Sequence, residues 1–106
     1  EERAEALNAL LAQASAYPRL TNHADDGWHM HYRDPNIALG GVIRALVGVG
    51  TALHLTGRGM DRLHRCAAAD CTTAFADTSR IGRQRYCGTV CSNRDAVRRH
   101  RARAAS

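Results

Sequence analysis

Four cysteines constrain this chain more than any other feature. Cys66, Cys71, Cys87 and Cys91 are its only cysteines, and all four fall within 26 consecutive residues of a 106-residue sequence. They form two close pairs, with four and three residues between partners and fifteen between the pairs. Two such pairs roughly 15–20 residues apart read as a zinc site, although the usual spacing within a pair is about two. Zinc takes soft ligands in a tetrahedron, and two short chelating turns provide four of them with little extra ordering. Asp70 before Cys71 and Gly88 after Cys87 suit tight turns whose N–H groups donate to sulfur. A set of four leaves no open position, so the ion expected here, one per chain, is structural. Two disulfides in a secreted domain, or four unconnected core thiols, are the competing readings. A helix-rich pattern with no secretory signal speaks against the first, and the clustering speaks against the second.

The charge is as uneven as the cysteines. Residues 1–61 carry five arginines against seven acidic residues, whereas residues 62–106 carry ten arginines against three, and lysine is absent throughout. Even with four thiolates and one Zn²⁺ the second stretch stays strongly basic. That asymmetry points to a polyanionic partner for the C-terminal half.

The first half reads as helix, hairpin, helix. In residues 2–16, Leu7, Leu10, Leu11 and Ala14 repeat with helical spacing, and Glu1, Glu2 and Glu5 favour a helix N-terminus. Pro18 stops that helix. Asp26-Gly27, within the turn from Ala24 to Gly27, is a hairpin signal, and Trp28, Met30 and Tyr32 share one face of the strand that follows. His29 and His31 alternate onto the other face, which suits either a metal or solvent. Asp34-Pro35-Asn36 is a turn that starts a helix over about 37–54. That helix is apolar on nearly every side, as expected of one buried in a core or at a homodimer interface. Its glycines Gly40, Gly41, Gly48 and Gly50 fit close backbone approach. With those and Arg44 near its middle, a buried helix is expected rather than a membrane span. The break at Thr56-Gly57-Arg58-Gly59 divides a domain over 1–58 from a second over 61–106. With no initiating Met, the chain reads as a fragment or a processed product.

In the second half, residues 72–77 read as a strand with Phe75 near the metal. A turn over 78–84 and a returning strand at Arg85-Tyr86-Cys87 follow. Thr89 is a candidate N-cap for a helix from about Val90 whose first turn supplies the last cysteine. The whole is an α+β chain: a helix–β-hairpin–helix segment, then a treble-clef-like four-cysteine module with a basic C-terminal helix.

These residues resemble a known family. The stretch from Asp61 through Cys66, Asp70-Cys71, Phe75, Asp77, Ser79-Arg80, Arg85-Tyr86-Cys87 and Cys91-Ser92-Asn93-Arg94 is similar to the CGNR zinc finger over residues 61–104. Residues 7–55 more loosely resemble the latter half of the ABATE domain, which that finger follows in bacterial proteins described as stress-induced transcription regulators. The resemblance implies a cytoplasmic, DNA-binding regulator, nucleoid-associated when bound, and an N-terminal segment not contained in this chain. Three positions depart from the pattern: Ser92 replaces the usual glycine, Tyr86 the favoured tryptophan, and Asp95 a small or basic residue.

Beyond Ala96 the last helix is basic around most of its girth, which suits the DNA major groove or the phosphate backbone. Arg98, Arg99, Arg101 and Arg103 are the better candidates for phosphate contact. Arg83, Arg85 and Arg94 divide between phosphate and balancing the thiolates. A zinc-stapled protein-interaction module without specific DNA binding is the alternative. An enzyme is not expected: a nuclease of this type needs a histidine base beside acidic or histidine metal ligands. His64 and His100, the module's histidines, stand in no such constellation. No small-molecule effector is indicated.

Overall fold

The computed structural model describes residues 1–23 and 25–106 and divides the chain into two compact units, Glu1–Leu53 and His54–Ser106. The first unit opens with helix α1, Glu2–Ala14. Its stripe of Leu7, Leu10, Leu11 and Ala14 is half-buried, as the helical spacing predicts. The helix ends where Ser15 turns extended, its N–H and its hydroxyl both donating to the Leu11 carbonyl.

Strands β1, Arg19–Thr21, and β2, His29–His31, pair antiparallel with Leu20 opposite Met30. The expected hairpin is present; of its expected turn, Ala24 lies outside the described residues, while Asp25 and Gly27 both have positive φ. Trp28 and Met30 are exposed, and His29 and His31 are half-buried, so the histidine face is the more sheltered one.

Asn36 N–H donates to the Asp34 side chain at 2.9 Å in the predicted turn. Helix α2 then runs Leu39–Arg58, four residues beyond the expected end. It continues through the expected break because Gly59, not Gly57, adopts positive φ (126°) and closes the last turn with a 2.8 Å bond to the Leu55 carbonyl. A Cβ at Gly59 would lie 2.8 Å from an Asp61 carboxylate oxygen. Gly48 is the α2 glycine that allows close approach to α1, since a Cβ there would meet Leu10 at 3.3 Å. α2 is not sheathed as a core helix would be. Ala45, Gly48 and Leu55 are buried, but Leu39, Ile43, Leu46, Val47 and Leu53 are exposed. By length and composition α2 is also long and apolar enough to cross a membrane.

In the second unit, β3 (Leu63–Arg65) and β4 (Ala74–Ala76) pair antiparallel, with His64 opposite Phe75. This corrects the expected pairing of the 72–77 strand with residues 85–87, which are irregular. The Cys66 N–H donates to the Thr73 carbonyl at 2.9 Å and carries the ladder into the cysteine turn. Among the described residues, one backbone–backbone bond, Ala67 N–H to the Arg85 carbonyl, ties the later segment to the hairpin. Helix α3 spans Thr89–Ala104. Its N-cap is Gly88, in extended conformation, rather than Thr89. The result is an α+β zinc-finger arrangement in which the first cysteine pair occupies the tip of a hairpin.

Candidate metal centre and basic helix

Two turns and a helix bring the four sulfurs together. Cys66 and Cys71 lie in the turn between β3 and β4, Cys87 lies just before α3, and Cys91 lies in the first turn of α3. The four Sγ atoms all fall within 4.8 Å of one another. Cys87 Sγ stands 3.8 Å from Cys71 Sγ and 3.7 Å from Cys91 Sγ. Sulfurs at the corners of a tetrahedron with metal–sulfur bonds of about 2.3 Å are about 3.8 Å apart. The donor set therefore fits one tetrahedral ion.

The surroundings favour that ion. Cys66 and Cys91 are buried, and Ala68, Phe75 and Tyr86 pack around them. Cys87 N–H donates to Cys66 Sγ at 3.4 Å, and the Arg94 guanidinium donates to Cys91 Sγ at 3.4 Å. Both bonds stabilise charge on sulfur. Without a cation four sulfurs this close cannot all ionise. Its hydrogen bond to Cys91, together with burial, pushes the Cys87 thiol up to about 12, whereas hydrogen bonds from Thr73 hold Cys71 down to about 6.

The loop after β4 is organised by a residue whose role the spacing of the sequence did not reveal. Asp77 is fully buried. One of its oxygens accepts from the Ser79 N–H and hydroxyl, the other from the Gln84 N–H and His64 Nε2. Arg62 reaches the same carboxylate at 3.9 Å and donates to the Ser79 carbonyl. A Cβ at Gly82 (φ 72°) would strike the Arg62 guanidinium at 2.6 Å. The Ser79 hydroxyl first, and the two N–H groups with His64 after it, hold the Asp77 carboxyl down to about 2 against the effect of burial. The Asp-x-Ser run 77–79 is the signal in the sequence, since such side chains bond backbone N–H groups two residues on.

The seven candidate arginines fall into distinct settings. Arg94 lies between Cys91 and Asp70, 3.3 Å from the Asp70 carboxylate. Arg98 reaches the same carboxylate at 3.8 Å. Arg99 pairs with Asp95 at 3.2 Å. Arg101 and Arg103, on the last turns of α3, are exposed and have no ion pair among the described residues. Arg85 stands over the Tyr86 ring, 5.7 Å from its centroid. With Arg83, His64 and Arg65 it lines an open groove, which adds Arg65 to the basic surface.

The three acidic residues of 62–106, Asp70, Asp77 and Asp95, are all engaged within it. Asp77 is buried, Asp70 meets Arg94 and Arg98, and Asp95 meets Arg99 and the Tyr86 hydroxyl. The positive surface of α3 is therefore not masked at its outer end.

Comparison with protein families gives a match to the CGNR zinc finger over residues 62–104. The matched stretch contains all four cysteines, β3, β4 and α3. No curated protein matches the chain.

Proposed function

We propose that residues 62–106 are the DNA-binding module of a transcription regulator, in which a structural zinc ion held by Cys66, Cys71, Cys87 and Cys91 fixes α3 against duplex DNA. Zinc is the ion that four soft thiolates and the CGNR zinc finger match favour. One observation carries the DNA reading. α3 is anchored at its first turn by buried Cys91, and its far end carries exposed Arg98, Arg99, Arg101 and Arg103. A rigid base with a basic outer end suits phosphate contact, and Arg83, with Arg65 and Arg85 behind it, extends the positive surface. Such a role belongs to the bacterial cytoplasm, at the nucleoid.

The first unit has a part in the same reading. Leu39, Ile43, Leu46 and Leu53 of α2 follow spacings of four, three and seven residues, as in a two-helix seam. All four are exposed. A second copy packing on this face would give the twofold arrangement with which many regulators read paired half-sites.

Val90 and Val97, both exposed on α3, favour the second reading, a protein-interaction surface. Selection of bound duplexes from a random DNA library with zinc-loaded protein separates the two. An enriched sequence that is lost when Arg98 and Arg101 become alanine supports DNA recognition. No enrichment, with partner binding that is insensitive to salt, supports the interaction module.

A further inference from the structure

The β1–β2 hairpin brings three imidazoles to one point. His23 follows β1, and His29 and His31 occupy alternate positions of β2, hence the same face. His31 Nε2 lies 3.3 Å from His23 Nε2 and 3.2 Å from His29 Nε2. The His23 and His29 rings meet edge to face, at an interplanar angle of 88°, and His31 is tilted to both, at 60° and 54°.

The hydrogen-bond chemistry of the trio is incomplete by itself. Each imidazole nitrogen offers, in its ring plane, either one hydrogen or one lone pair. His29 Nδ1 lies 2.9 Å from the Gly27 carbonyl oxygen, which only accepts. In the neutral ring that nitrogen carries the hydrogen and His29 Nε2 presents a lone pair. His31 Nε2 has one straight bond to give and two nitrogens facing it. A cation satisfies all three at once. Three nitrogens at tetrahedral corners about 2.0–2.1 Å from an ion are about 3.3–3.4 Å apart, close to the two separations from His31 Nε2. A carbonyl on the far nitrogen, as Gly27 supplies for His29, is the usual outer partner that orients a ligating histidine.

We propose that His23, His29 and His31 form a second metal site, which takes one divalent ion of the zinc, cobalt or nickel type through three imidazoles and leaves a coordination position open. Nitrogen donors suit these borderline ions. Among the described residues no acidic or cysteine side chain completes the group. His23 is exposed and the other two are half-buried, so the open position is accessible to water or a small ligand. Arg19 stands opposite His31 in the strand register; its charge opposes a cation, so this site binds more weakly than the four-thiolate one. The proposal does not depend on DNA binding.

The test titrates Co²⁺ into the untagged full chain with its cysteine cluster already loaded with zinc. The expected result is one further ion per chain, with visible ligand-field absorption but no near-ultraviolet sulfur-to-cobalt band. Ring-proton NMR signals of His23, His29 and His31 in the unaltered protein shift or broaden together. His31→Ala abolishes the uptake with the circular dichroism spectrum unchanged, and His100→Gln retains it. No uptake, uptake with the sulfur band, uptake that survives His31→Ala, or unmoved histidine signals would each overturn the proposal.

Discussion

The hydroxyl of Tyr86 donates to the carboxylate of Asp95 at 2.5 Å, joining the approach to α3 to its second turn. Both residues depart from the CGNR pattern, and in the structure they answer one another. A tyrosine where tryptophan is favoured brings a hydroxyl, and an aspartate where a small or basic residue is commoner brings its acceptor. Asp95, which in the sequence looks like a charge set against phosphate, is thus half-buried and bonded to Tyr86 and Arg99. The shared bond raises the Tyr86 phenol and lowers the Asp95 carboxyl, keeping one neutral and the other ionised.

Removing the hydroxyl tests that pair. Tyr86→Phe lowers the melting temperature by roughly 5 °C, and Asp95→Ala does the same. The double variant loses less than the two single losses added, because the Tyr86–Asp95 bond is removed by either, although Asp95→Ala also releases Arg99. The sign with pH follows from the raised phenol. Its contribution is complete below the ordinary tyrosine value of 10.0 and is lost as pH rises through the folded value. The gap between wild type and Tyr86→Phe in thermal melts narrows in strong alkali; independent, additive losses would contradict the pairing.

Asp77 supports a second prediction. Asp77→Asn puts an amide against donors that need acceptors, so residues 78–84 open. Amide exchange at Ser79 and Gln84, both bonded to Asp77 in the structure, rises at least tenfold, about 1.4 kcal/mol of opening free energy. With the folded value held down to about 2 from 3.8, the contribution of the carboxylate is fully present above 3.8 and fades as pH falls towards about 2. Carbon NMR of the Asp77 carboxyl checks this: the group should stay ionised at pH 4.

Metal removal should act on one unit. A strong chelator, or Cys66→Ser, abolishes the protection of α3, β3 and β4, because ion binding in zinc fingers is itself folding free energy. The α1 and β1–β2 amides of the first unit remain protected. Hydrogen exchange with mass spectrometry reads both together, and uniform loss along the chain would contradict two separately held units.

The exposed seam of α2 predicts a dimer. Leu46→Glu should convert it to monomer in light scattering, with the helical circular dichroism signal retained. A wild-type chain that is monomeric at every concentration would remove the twofold arrangement.

Much of the metal centre was legible in the sequence, because cysteine spacing records ligand geometry directly. The half-buried stripe of α1 and the Asp34 turn were legible for the same reason, each being a local pattern. Asp77 was not, since its partners Ser79, Gln84, His64 and Arg62 converge only when β3, β4 and the following loop close. The partner of the 72–77 strand was misread because residues 85–87 look extended. Cys87 must turn to the sulfurs, so that stretch leaves the ladder to Leu63–Arg65. His23 escaped notice because eight residues separate it from His31, and only the antiparallel register brings them together.

Binding of a labelled duplex, followed by fluorescence anisotropy across a salt series, tests the central claim most directly. The zinc-loaded chain should bind with a steep salt dependence, and the chelated chain should lose that binding. Arg101→Ala and Arg103→Ala should each reduce the log–log slope by about 0.9, the value for one phosphate contact. Arg99→Ala should change it less, because Asp95 already neutralises that cation. Binding that is indifferent to zinc, to salt and to Arg101 and Arg103 would contradict the account.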